Sequence, residues 1–307
     1  MKLNCGSRII EQLFSGPAVS GQSVDAWRSR REPDLKFTLN WIRRVSELGV
    51  NSLCLWIPSE SNLRMVSQKE NAERIRLSCE ERSMTIDNLA VSFLAPWTID
   101  KTSVGRVENA WSLVSGFADV VGAEVLEILS PSVPLQPRPG RMGRKVPQFS
   151  SPAPGFSWDR VWKRYVSRMR QYARLAESHD LLLAVEPRPM DLLGNTDSLL
   201  RLMDGVPSEN LGGVVDFSHM QMSKEIPALS MKKLGKKIFS VHLSDDDGIT
   251  DCHWPPGQGI IEWPPIFRAL RESGYDGILS LDVSGMDVEQ EVIEAREYVQ
   301  DLLRRLH

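Results

Sequence analysis

The sequence predicts an α/β chain folded as a single (β/α)8 TIM barrel, and three observations predict it. Eight short apolar runs recur along the 307 residues, each followed by a stretch of helical character. The runs are continuous rather than alternating, which suits parallel strands buried on both faces. The GxGxxG fingerprint of a doubly wound dinucleotide-binding sheet is missing, and Gly257-Gln-Gly259 is too short to replace it. Residues 1–307 are therefore expected to form one domain, with a long loop at about 130–156.

The elements follow in order. "KLNCGS" opens the chain as a first short strand. A long connection carrying Trp27 and Arg28 to Arg31 leads to an amphipathic stretch from Leu35 to Val50, where Phe37, Trp41, Val45 and Leu48 recur at helical spacing. Gly49 punctuates it, and "SLCLWIP" reads as a buried second strand ending at Pro58. A polar helix over Asn71–Met84 precedes "NLAVSFLAPW", the third. The segment Arg106–Gly122 sets Val107, Ala110, Trp111, Val114, Phe117, Ala118 and Val121 on one face before "VLEILSP", the fourth.

The rhythm then breaks at "SPSVPLQPRPGRMGRKVPQFSSPAPGF", a loop rich in Pro, Arg, Ser and Gly. A mobile surface insertion and a functional lid or arm are equally open readings of it. The clearest helix starts from the N-cap residue Ser157 and carries an apolar stripe of Trp158, Val161, Trp162, Tyr165, Val166 and Met169. It leads into "LLLAVEP". Asn195 and Thr196 can cap a helix through Met203, followed by "LGGVVDFSH". A short helix near Pro227 to Lys236 precedes "IFSVHLSDD", and one from Pro264 to Ser273 precedes "GILSLDV". A final helix runs from Val288 to about Arg305.

The totals narrow the class. With 41% hydrophobic and 25% charged residues, the chain can build a large core. A formal charge of −3 offers no basic surplus for nucleic acid or an anionic membrane. The N-terminus "MKLNCGSRII" lacks a secretory signal, and no apolar run reaches the roughly 18 residues of a membrane span. Cys5, Cys54, Cys79 and Cys252 are scattered without a CxxC pair, so free thiols and a cytoplasmic location are expected.

Chemistry in such a barrel sits at the C-terminal ends of its strands. The second strand is read as ending in Trp56 and the third in Trp97. The fifth ends in Glu186, the sixth in Asp216 with His219 three residues on, the seventh in His242 with Asp245 three residues on, and the eighth in Asp282. A lone acid or histidine at a strand end is an ordinary loop cap, but four in succession are less easily so explained. Burying Glu186, Asp216 and Asp282 together would cost several kcal/mol without a cation. With His242 they offer three oxygens and one nitrogen, a set that suits Mn²⁺ first, and also Mg²⁺, Co²⁺, Fe²⁺ or Zn²⁺.

On these residues the chain resembles the xylose isomerase-like barrel superfamily, and within it the sugar phosphate isomerase/epimerase family. The carrying motifs are "LAVEPRP", "VVDFSHM", "VHLSDDD" and "HWPPGQGIIEWPPIFRALRESGYDGILSLDV". The resemblance implies that Glu186 binds the metal and acts as one acid/base, and that Asp216 and His242 are ligands. It implies that His219 contacts substrate, that Asp245 supports the site, and that Asp282 is the fourth ligand and second acid/base. The implied reaction is proton transfer by the two carboxylates on a ketose or keto-sugar, through an enediolate. The family usually has Glu where this chain has Asp282, one methylene shorter. That departure makes room for a dehydratase or lyase acting on an inosose or a 3-keto-glycoside, or for a non-catalytic barrel subunit.

Further substrate contacts stay open. His253 and Trp254 read either as a hydroxyl-binding or acid group with an aromatic wall, or as a loop histidine packed on tryptophan. Trp56 and Trp97 read as a platform for a sugar face or as core. The expected partner is a small carbohydrate, with self-association open and neither nucleic acid nor membrane involved. The superfamily's DNA repair nucleases draw histidines from early strands, and none of the five histidines here (His179, His219, His242, His253, His307) lies in the first half.

Overall fold

Parallel strands buried on both faces must close on themselves or be covered at their edges, and here they close. The computed structural model describes residues 1–9, 33–133, 135–136, 151–152 and 154–305. The barrel strands are β1 (Lys2–Cys5), β2 (Ser52–Trp56), β3 (Thr85–Ala90), β4 (Val125–Leu129), β5 (Leu182–Glu186), β6 (Leu211–Asp216), β7 (Ile238–Leu243) and β8 (Ile278–Leu281). Each pairs in parallel with the next, and β8 returns to β1 with Lys2 opposite Ile278 and Cys5 opposite Leu281. This is a (β/α)8 TIM barrel.

The helices are α1 (Leu35–Glu47), α2 (Glu60–Val66), α3 (Lys69–Glu80), α4 (Leu94–Trp97), α5 (Val104–Val121), α6 (Trp158–Ser178), α7 (Thr196–Gly205), α8 (Phe217–Met222), α9 (Pro227–Leu234), α10 (Trp263–Glu272) and α11 (Val288–Arg305). Their starts follow from side chains that accept the free N–H groups of the first turn. Asp34 accepts from Phe37 N at 2.8 Å and Ser157 from Arg160 N. Asn195 forms a reciprocal capping box with Ser198. The apolar faces these helices present are buried against the barrel, with Trp41, Trp111, Tyr172, Trp263 and Phe267 all enclosed. Truncating one of these aromatics to alanine costs about 3–5 kcal/mol.

Three elements differ from the sequence reading. The third strand ends at Ala90, and Trp97 lies a helix further on, in α4. There its ring lies edge-on to Phe93 at 5.0 Å, with the Arg106 guanidinium 4.5 Å above it. The other two are helices α2 and α8, absent from the sequence reading because a span of 7 or 6 residues is too short to display a helical period. Of the long loop, Leu135–Gln136 pairs antiparallel with Ser151–Pro152. Residues 137–150, and likewise Trp27 and Arg28 to Arg31, lie outside the described residues.

Beneath the site the barrel interior mixes apolar and polar side chains. Val125, Ala184 and Val214 form a small apolar cluster. Opposite them on neighbouring strands stand Asn88, Glu127 and Ser240. Asn88 Nδ2 donates to Glu127 Oε1 and, at 3.2 Å, to Ser240 Oγ, all three residues being buried. Among the described residues all four cysteines are free, and no helix is long and apolar enough to cross a membrane.

Candidate metal centre and active site

Four neighbouring strands deliver the site. Glu186 and Asp216 are the last residues of β5 and β6, His242 is the penultimate residue of β7, and Asp282 follows β8 directly. Their order in the barrel is β5-β6-β7-β8, so the four side chains stand side by side at one rim. All four are buried. His242 Nδ1 lies 3.7 Å from Asp216 Oδ2, 3.9 Å from Glu186 Oε2 and 3.9 Å from Asp282 Oδ2. Glu186, Asp216 and His242 each offer a donor atom within 4.8 Å of the others.

The fit to a cation rests on which atoms lack partners. Asp216 Oδ1 caps α8 by accepting from His219 N at 2.8 Å, which leaves Oδ2 to face the site. That Oδ2 and His242 Nδ1 are both buried with no hydrogen-bond partner among the described residues. Two partnerless polar atoms facing each other, beside two more carboxylates, are what a bound divalent ion would satisfy. A tetrahedral ion with bonds of about 2.0–2.1 Å needs its donors roughly 3.4 Å apart, a few tenths of an ångström less than the 3.7–3.9 Å from His242 Nδ1 to each carboxylate.

The electrostatics say the same. Burial alone would push the Asp216 carboxyl up, but His219, His253 and His242 outweigh it and hold it well below its usual range. Burial is likewise outweighed at Asp282, by the His253 contact and the charges of His242, His253 and Arg8. Burial would lower His242, yet Glu127, Asp216 and Asp282 raise it well above an ordinary histidine. The metal-free site therefore balances its carboxylates with protons on imidazoles. A divalent cation supplies the same balance with His242 neutral, the form in which histidine ligates.

Two further histidines back the carboxylates. His219 Nδ1 lies 2.9 Å from Glu186 Oε1, and His253 Nδ1 lies 3.4 Å from Asp282 Oδ2 and 2.9 Å from the Asp282 carbonyl. The two rings meet edge to face at 5.2 Å. Asp216, His219 and His253 form a second group whose donor atoms lie within 4.8 Å of one another. His253 is fully buried in a left-handed backbone conformation, φ 52°.

The remaining predicted residues have other surroundings. Trp56 is buried and donates through Nε1 to Ser92 Oγ at 3.0 Å. Trp254 is partly exposed, and its backbone pairs with that of Asp245. The carboxylate of Asp245 is spent on its own loop. It accepts from Gly257 N, Ile261 N and Trp263 Nε1 at 2.8–3.0 Å. A Cβ on Gly259 would collide with the Asp245 carboxylate and the Asp246 carbonyl. The Gly-x-Gly is thus a close-packed turn around a buried carboxylate.

Two residues escaped sequence reasoning. Glu127, within β4, is buried and has Oε2 3.2 Å from His242 Nε2. Its only signal was an acid inside the apolar run "VLEIL". Asp251 has Oδ1 2.9 Å from His253 Nε2 and 3.5 Å from His219 Nε2, and Oδ2 3.6 Å from Arg8. The D-x-H spacing of "DCH" was its only trace.

The chain is thus an eight-stranded parallel barrel with a cluster of carboxylates and histidines that could hold a metal ion at the C-terminal ends of its strands. The chain belongs to the xylose isomerase-like TIM barrel family, whose model matches residues 42–306. It is 25% identical over 143 residues to the fructoselysine 3-epimerase of Escherichia coli O157:H7, covering 46% of this chain and 52% of that one. It is 22% identical over 312 residues to the inosose dehydratase of Clostridium perfringens, covering 94% and 99%. The chain spans about half the length of the first of these, and nearly all of the second. A crystal structure of a D-tagatose 3-epimerase-like protein superposes with a TM-score of 0.69 at 17% identity, covering 100% of this chain and 98% of that one. These relatives are sugar epimerases and inosose dehydratases.

Proposed function

We propose that this chain is a divalent-metal-dependent isomerase or epimerase of a ketose or keto-sugar, with Glu186, Asp216, His242 and Asp282 as ligands. The observation that carries the reading is the convergence of three carboxylates on a partnerless His242 Nδ1 at 3.7–3.9 Å. Mn²⁺ suits this donor set best. Nothing in the chain's charge calls for a nucleic-acid partner, and a cytoplasmic location accords with its free cysteines.

A bound divalent cation would polarise a substrate carbonyl and stabilise the charge of an enediolate. The chain's residues handle the proton. Glu186, backed by His219, removes it from carbon as general base. Asp282, backed by His253, delivers a second, solvent-exchangeable proton from the opposite side, while the abstracted proton stays on Glu186. Asp282 is shorter than the usual Glu, yet its Oδ2 is as near to His242 Nδ1 as Glu186 Oε2 is, 3.9 Å in each case. The enclosing rim holds these groups away from bulk water, which strengthens their mutual interactions.

One observation favours a second reading, a dehydratase. Asp282 stands where family members usually carry Glu, and the match to the inosose dehydratase runs through 94% of this chain. In that reading Glu186 remains the base and His253, poised beside Asp282, protonates the leaving hydroxyl.

Incubation of metal-loaded protein with a panel of ketoses and inososes in D₂O separates the two. Epimerisation incorporates one deuteron at carbon with no other mass change, and dehydration loses water. Glu186→Gln is expected to lower either rate by about 10²–10⁴-fold. Protein that holds no divalent ion, with Glu186→Gln as active as wild type, defeats both readings. Stoichiometric metal with no turnover on any sugar points to the non-catalytic subunit.

A further inference from the structure

His242 has two ring nitrogens with different neighbours. Nδ1 faces Glu186, Asp216 and Asp282, and Nε2 points the other way, into the barrel, 3.2 Å from Glu127 Oε2. A carboxylate can only accept, so this contact requires a proton on Nε2, and in the neutral ring that ligates a cation the lone pair is then left on Nδ1. We propose that Glu127 is a positioning residue of the metal centre, holding His242 in the tautomer and orientation that turn Nδ1 to the cation. The proposal rests on the metal-dependent reading above.

Three observations support it. Glu127 is itself held, because Asn88 Nδ2 donates to Oε1 and Cys54 Sγ lies 3.6 Å from Oε2. Asn88 is held in turn by Ser240 Oγ at 3.2 Å, and Ser240 lies two residues before His242 on the same face of β7. Glu127 is not a ligand, since its engaged oxygens lie on the far side of the imidazole from the other carboxylates. Nor does the barrel need an acid there. Ala90 and Ala184 stand opposite it on the flanking strands, and a buried carboxylate costs several kcal/mol that an apolar side chain would not. A histidine ligand whose distal nitrogen is held by a carboxylate is a better oriented and more basic donor.

The test compares metal-stripped wild type, Glu127→Gln and Glu127→Leu. Zinc affinity is measured by calorimetry, metal-free stability by melting, and the His242 ligating nitrogen by ¹⁵N NMR of the zinc-loaded ring. Wild type is expected to ligate through Nδ1 with Nε2 protonated. Glu127→Gln keeps an oxygen for Nε2–H and should bind about 10-fold more weakly, and Glu127→Leu about 100-fold. Both metal-free variants should melt below wild type, because each breaks a buried pair with the His242 ring and Glu127→Leu also orphans the Asn88 amide, so the test is read from the zinc affinity of the folded proteins and from the ligating nitrogen, which a merely structural role would leave unchanged. Zinc binding within about twofold of wild type in Glu127→Gln, or ligation of wild-type zinc through Nε2, overturns the proposal. Should Glu127→Leu fail to fold, Glu127→Gln decides by the same threshold. A wild type that takes up no zinc overturns the metal reading and this proposal together, and a wild type that binds beside unaffected variants overturns this proposal alone.

Discussion

Asp216→Asn separates the two tasks of one carboxylate. Asp216 Oδ1 caps α8 through His219 N at 2.8 Å, and Oδ2 faces His242 Nδ1 at 3.7 Å without a partner. Asparagine can keep the cap by using its carbonyl oxygen, since Asn and Asp cap about equally well. Its amide group then replaces Oδ2 and turns N–H donors towards the seat. Removing one partner of a buried charge pair costs about 3–5 kcal/mol, which at about 1.4 kcal/mol per decade weakens metal binding by about 10²–10⁴-fold. Wild type at a metal concentration about 100-fold above Kd gains about 2.7 kcal/mol, a rise of roughly 4 °C in melting temperature. The variant should show almost none of this rise. Calorimetric titration and paired melts with and without Mn²⁺ measure both quantities. A variant binding within about threefold of wild type would refute Oδ2 as a ligand. The metal-free variant should also melt below wild type, because the charge that His219, His253 and His242 stabilise is gone.

Other perturbations have equally definite outcomes. A Cβ on Gly6 would lie 2.6 Å from both Asp282 Oδ1 and the Leu281 carbonyl, so Gly6→Ala should displace Asp282, cost about 1–3 kcal/mol in urea unfolding, and weaken metal binding. Trp263→Phe removes the Nε1 donor 2.8 Å from buried Asp245 and should destabilise the protein by about 1–3 kcal/mol, with metal affinity unchanged. The His253 imidazole is depressed by burial and by Arg8, but Asp216, Asp251 and Asp282 more than offset this and raise it from 6.5 to about 10. A raised folded value stabilises fully below the unfolded pKa and is lost as pH climbs towards the folded one. Chelated protein should therefore lose unfolding free energy between pH 7 and 10, and a flat profile would contradict the contacts around His253. Metal affinity should rise from pH 6 to 8, because the cation displaces protons from the site's histidines.

Much of this architecture was legible in the residues. A strand buried on both faces has to be a continuous apolar run, and a polar residue closing such a run falls at a strand end. That logic found Glu186, Asp216, His242 and Asp282. The capping side chains of Ser157 and Asn195 marked two helix starts correctly, because capping is a local interaction. Trp97 was misjudged because "NLAVSFLAPW" is apolar throughout, and periodicity cannot separate a strand from the short helix that follows it.

What the sequence by itself determined was the order and spacing of the eight units, and with them which strands end in potential ligands. These follow from hydrophobic period, chain length and local capping. The tertiary structure alone decided where those side chains point. In β4 the acid at 127 has Leu126 and Ile128 as neighbours, and a shift of register by one residue would turn it out of the barrel. Pairing of β4 with β3 and β5 sets that register and aligns Glu127 behind His242, and closure of β8 on β1 lets Gly6 approach Asp282 closely. Asp245 and Asp251 differ for the same reason. The fold of a loop, which no period encodes, turns one carboxylate inward to three backbone and indole donors and sets the other against two histidines.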